Sequence, residues 1–222
     1  MDTRQAQRIL LFMGIVGAFA ILMASWSVFG VSVETTNIYG VEGIRARLAA
    51  VKPGTVELSF LLGILSLPLL VAGTTGWMLE LGTAEKRIRW TMMAGIGAWI
   101  LVEGAFVGAI RILAANIGHL PVDTPWPEEL EIILTGLSVL SIGSTFVLWL
   151  FLAAAIWLEK LPVPRQWALL SPGVLLVGFL ALAWLNGLIT GSYPARGYVL
   201  APWLALILSF GSLLVYRVRK PL

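Results

Sequence analysis

The stretch Trp90–His119, WTMMAGIGAWILVEGAFVGAIRILAANIGH, holds a carboxylate, Glu103, inside an otherwise apolar run. An α-helix needs about 20 such residues to cross a hydrocarbon core roughly 30 Å thick. Read as a membrane-spanning helix, the stretch places Glu103 near mid-membrane, Arg111 two turns later, and Asn116 and His119 beyond it. Glu103 is then the one ionisable residue near the centre of any span. Ionisable groups at that depth are costly, and they face a bundle interior or a wet cavity. The stretch thus sets the class of the protein and points to a site.

The whole chain has the same character. Its 222 residues are 59% hydrophobic and 12% charged, with a mean hydropathy of +0.91, against roughly 25% charged in soluble domains. Backbone groups in lipid must bond internally, and no alternating strand pattern suggests a barrel. The expected fold is all-α: a polytopic integral membrane bundle forming a single transmembrane domain over residues 1–222. Six transmembrane helices are expected at about 9–30, 58–81, 90–115, 132–158, 167–190 and 199–218, with a short external amphipathic helix. The first run is too long for the apolar core of a signal peptide, roughly 7–15 residues, and reads as a retained span.

Counting Lys and Arg near span ends gives the orientation. With the N-terminus inside, the inside holds Arg4, Arg8, Lys86, Arg87, Arg89, Lys160, Arg165, Arg217, Arg219 and Lys220. The outside holds Arg45, Arg47, Lys52 and Arg196. The imbalance puts both termini in the cytoplasm of a cell inner or plasma membrane. Trp26, Trp90, Trp126, Trp157 and Trp167 fall near proposed span ends, as interfacial belts require.

Local signals add detail. Val41, Ile44, Leu48 and Val51 recur at helical spacing in the longest connection, and Pro53-Gly54 stops that helix. Pro68 is expected to kink the second span, and Thr74 and Thr75 to bond back to its backbone. Glu128, Glu129 and Glu131 follow Asp123, Thr124, Pro125 and Pro127, which reads as helix-start chemistry and not as a metal cluster. Ser138, Ser141 and Thr145 share one face of the fourth span. Pro172 is expected in an early turn of the fifth span, and Pro202 in the first turn of the sixth.

The segment Pro164-Arg165-Gln166-Trp167-Ala168-Leu169-Leu170-Ser171-Pro172, with the preceding Gly143-Ser144, resembles a family of bacterial multi-span membrane proteins grouped as a domain of unknown function. Gln166 interrupts the family's proline–arginine–tryptophan pattern. The resemblance covers the second half of the chain and implies a similar bundle. It brings no activity, cofactor or site residue with it.

The chain has no cysteine, which excludes thiol catalysis, disulfides, iron–sulfur clusters and thiolate metal sites. A single histidine argues against a bis-histidine haem. No phosphate loop, His-rich motif, nucleophile elbow or Asp-rich prenyl-phosphate motif is present. No metal, cofactor or nucleic acid is therefore expected. Two readings of Glu103 stand side by side. In the structural one it is protonated and hydrogen-bonds a hydroxyl of the fourth span or a backbone carbonyl. In the functional one it lines a cavity as a proton donor, proton acceptor or ligand contact. Gly104 and Gly108 form a small-residue ridge beside it that is expected to make close helix contact. Arg111, Asn116, His119, Ser144 and Asn186 are the further candidate ligand-binding residues, with Glu103 the candidate catalytic one.

The expected function is binding of a lipophilic small molecule or lipid in an intramembrane cavity, with acid–base chemistry at Glu103. A small proton-coupled transporter and a non-catalytic subunit of a membrane complex are the alternatives. The expected partners are the lipid bilayer, a lipophilic small molecule, and a homo-oligomer or larger membrane complex.

The absence of cysteine gives the topology a clean test. G118C and G191C should react with an impermeant thiol reagent in intact cells, and A84C should not. Labelling of A84C would reverse the orientation or change the span count.

Overall fold

The computed structural model describes residues 3–29, 46, 49–79, 86–117, 128–161, 163–190 and 195–219. Among them the chain is all-helical, with seven helices and no strand. Six are long: α1 (Thr3–Phe29), α2 (Pro53–Met78), α3 (Lys86–Ile117), α4 (Glu128–Trp157), α5 (Pro172–Thr190) and α6 (Ala195–Arg219). The seventh is a 3-10 helix, Arg165–Leu170. Most of the expected amphipathic helix near Val41–Val51 lies outside the described residues.

Among the described residues, five helices are long and apolar enough to cross a membrane: α1, α2, α4, α5 and α6. That suggests a membrane protein. α3 is not among the five, and several side chains of its second half lie outside the described set. It opens on Lys86, Arg87 and Arg89 and carries Glu103 and Arg111 further along. The outer surface agrees with the apolar class. Leu101, Val147 and Ile189 are 75%, 73% and 77% exposed, with Phe12, Leu65 and Leu182 on the same outer side of their helices. Soluble monomers rarely leave so much contiguous apolar surface in water.

The helices close into a ring in chain order: α1 packs on α2, α2 on α3, and so on to α6, which returns to α1. Neighbours run antiparallel where contacts define it. The Gln7 side-chain amide donates to the Gly76 carbonyl at 3.2 Å, and the Ser59 hydroxyl donates to the Ala24 carbonyl at 2.8 Å, pinning opposite ends of the α1/α2 pair. Arg8 Nη2 donates to the Arg217 carbonyl at 2.9 Å and ties α1 to the end of α6. The ring's interior is filled by Leu11, Ile21, Trp99, Trp149, Ile156 and Phe210.

The tightest helix contact is made by Gly14 and Gly73 across α1/α2, where a Cβ on either would overlap the other's Cα. A Cβ at Gly17 would meet the backbone nitrogen of Leu70 at 2.9 Å. Small residues let backbones approach this closely, and dispersion does the holding. The expected ridge at Gly104 and Gly108 differs. A Cβ at Gly104 would touch only Leu67, at an ordinary 3.8 Å, and none of the described atoms lies within 4 Å of one at Gly108. Glycine spacing alone does not say which face a neighbour occupies, and here α2 reaches only the edge of that ridge.

Two proline expectations shift. Residues 165–170 form the 3-10 helix, Ser171 is extended at φ −67° and ψ 148°, and α5 starts at Pro172. A residue before proline is pushed out of the helical region, so the chain breaks at Ser171 and restarts with proline at the first helical position. α6 begins at Ala195, which puts Pro202 inside the helix and not in its first turn. Thr74 and Thr75 do bond back, both to the Val71 carbonyl, at 2.9 and 2.8 Å.

Gly73→Ala should therefore destabilise the bundle by about 1–3 kcal/mol through overpacking, read as a lower thermal midpoint in detergent. Gly97→Ala, with no described atom within 4 Å of the added carbon, is the control and should change little. Equal midpoints for the two would mean that α1 and α2 do not meet at Gly73.

Candidate functional site

Two turns facing each other across the α3/α4 seam build the site. Trp99 and Glu103 are four apart on α3, and Ser141 and Thr145 are four apart on α4, so each pair lies on one face of its helix. The antiparallel packing sets Glu103 against Ser141 and Trp99 against Thr145. The Ser141 hydroxyl donates to Glu103 Oε1 at 2.6 Å. The Thr145 hydroxyl donates to the same oxygen at 3.2 Å and accepts from the Trp99 indole N–H at 2.9 Å. Glu103, Ser141 and Thr145 are all buried. Glu103 thus accepts hydrogen bonds from two hydroxyls of the fourth long helix, as one of its two readings expects.

Both hydrogen bonds end on Oε1, and Oε2 carries neither. The carboxyl also lies in the wall of a crevice where α3, α4, α5 and α6 meet. Trp99, Thr145 and Trp149 line it from α3 and α4, Pro172 and Leu176 from α5, and Pro202, Trp203 and Leu206 from α6. The Trp99 and Trp149 rings pack edge to face, with centroids 5.4 Å apart and planes at 77°. None of the lining residues is cationic, and Glu103 is the only one that ionises. The open space amounts to about one water molecule.

Of the other candidates, Ser144 and Asn186 are not among the residues lining the crevice. Ser144 is half-buried and donates to the Ser141 carbonyl of its own helix at 3.1 Å. Asn186 is exposed on α5, ten residues past Leu176, or about 15 Å along the axis. Arg111 and Asn116 belong to α3 about 12 and 20 Å beyond Glu103, and their side chains are outside the described set, as is His119. Among the described residues no group of three His, Asp or Glu side chains could hold a metal ion.

Reading tryptophan as an interfacial residue passes over Trp99, Trp149 and Trp203. A signal was there for two of them. Trp99 precedes Glu103 by four, and Trp149 follows Thr145 by four, so each belongs to the polar face of its helix. No such signal marks Trp203, because only ring closure brings α6 to the crevice.

No protein-family model matches this chain, and neither the curated proteins nor the solved structures give a significant match.

Glu103→Leu removes the acceptor of two buried hydroxyls and should cost about 1–3 kcal/mol, while Glu103→Gln keeps a side-chain carbonyl and should cost less than about 1 kcal/mol. Thermal unfolding in detergent measures both. A leucine variant as stable as the glutamine one would show that these hydrogen bonds contribute nothing to the fold.

Proposed function

We propose that the protein is a six-span membrane protein, with both termini on the cytoplasmic side of the plasma membrane, that binds a lipophilic small molecule at Glu103. The single observation carrying the reading is a carboxyl in the wall of a small crevice shared by four helices of an apolar bundle. The sixth span is α3. It occupies the place between α2 and α4 in a ring whose other members are apolar enough to cross. A helix in that position shares the membrane with its neighbours, and its polar group turns inward.

Size limits what the site takes. Pockets for drug-sized ligands enclose about 300–1,000 Å³, and this crevice holds about one water. Only the polar head of a ligand seats there, and the apolar remainder lies along the helices. Glu103 is the one group of the wall with an exchangeable acidic proton, which makes it the acid–base partner of a bound head group.

Native mass spectrometry of the protein released from mild detergent tests this. A retained lipophilic adduct is expected on the native chain, reduced severalfold in Glu103→Gln at an unchanged thermal midpoint. An adduct of equal abundance on both would leave Glu103 a purely structural residue.

A further inference from the structure

We propose that the head group taken by the Glu103 crevice is a primary ammonium, so that the ligand class is a lipophilic amine; this rests on the lipophile-binding reading above. Charge is the first argument. The wall holds one carboxyl and no cation, so it offers no counter-charge to a phosphate or carboxylate head. Aromatic content is the second. Three indoles, Trp99, Trp149 and Trp203, stand in the same wall, and indole faces attract cations more strongly than other aromatic side chains do. Size is the third. Space for about one water admits an –NH3+ group and excludes a trimethylammonium. Hydrogen-bond direction is the fourth. Ser141 and Thr145 both donate to Oε1 and neither to Oε2, and Glu103 lines the crevice.

One feature favours a hydroxyl head instead. The Trp149 indole N–H is buried without a hydrogen-bond partner, and a hydroxyl could accept from it while donating to Glu103. An alcohol of the same chain length is therefore the decisive comparison. The protein in phosphatidylcholine nanodiscs is titrated with dodecylamine, dodecyltrimethylammonium and dodecanol, following indole fluorescence. Dodecylamine should saturate, and the other two should bind at least roughly tenfold more weakly. Glu103→Gln should weaken dodecylamine by at least roughly tenfold. Trp203→Leu, which leaves the carboxyl in place, should narrow the preference for amine over alcohol. Equal affinity for dodecanol would overturn the ammonium assignment and leave the lipophile site standing. Equal affinity for dodecyltrimethylammonium would overturn the primary ammonium. Unchanged dodecylamine binding in Glu103→Gln would overturn the role of the carboxyl, and no saturation by any of the three would remove both readings.

Discussion

The hydrogen bonds that Glu103 accepts from Ser141 and Thr145 tie α3 to α4 inside an otherwise apolar seam. α3 carries the carboxyl of the crevice, and it is also the link between α2 and α4. Placing an ionisable group at the centre of a span costs roughly 2.5–3.5 kcal/mol on insertion scales. Interhelical hydrogen bonds in membranes contribute about 0.6–2 kcal/mol each. Two of them on one carboxyl offset a large share of that cost. The seam is therefore self-consistent only with Glu103 turned towards α4, and that orientation also puts the carboxyl on the crevice.

The other side of the ring solves the same problem differently. Gly14 meets Gly73, and Gly17 meets the backbone at Leu69 and Leu70, so α1 and α2 touch main chain to main chain. Such a seam leaves no room. Around the crevice the interior residues include Trp99, Trp149 and Trp203. Close approach still occurs nearby, since a Cβ at Gly173 would strike the Trp149 backbone. α5 thus begins hard against α4, and the indoles leave a small space beside that contact.

Much of this was legible in the residues. The all-helical class followed from apolar run length, and the inward carboxyl followed from the cost of placing it in lipid. The hydroxyl face of Ser141 and Thr145 was visible as a spacing of four. Other features were not, for physical reasons. Pro172 and Pro202 have the same local chemistry, yet one starts a helix and the other sits inside one. Each helix start is set by what precedes the proline and by packing. The ridge at Gly104 and Gly108 looked like a contact surface and is not one among the described residues, because a small residue permits close approach without requiring it. The wall of the crevice draws on four helices, and no window of sequence contains all four.

That last point orders the parts of the site by how far apart they lie in the chain. Glu103 finds its hydroxyl partners 38 and 42 residues away, within a single α3/α4 hairpin. The bond closing the ring, from Arg8 to the Arg217 carbonyl, spans 209 residues. Local contacts cost less chain entropy than distant ones and are available earlier in assembly. The carboxyl can thus be held by α4 before α5 and α6 arrive. What those two helices add is Leu176, Trp203 and Leu206, an apolar wall that turns a hydrogen-bonded carboxyl into one side of a crevice. The polar pair belongs to a hairpin and the crevice belongs to the closed ring, so changes at the α1/α6 seam should reach the crevice while leaving the bonds of Glu103 in place.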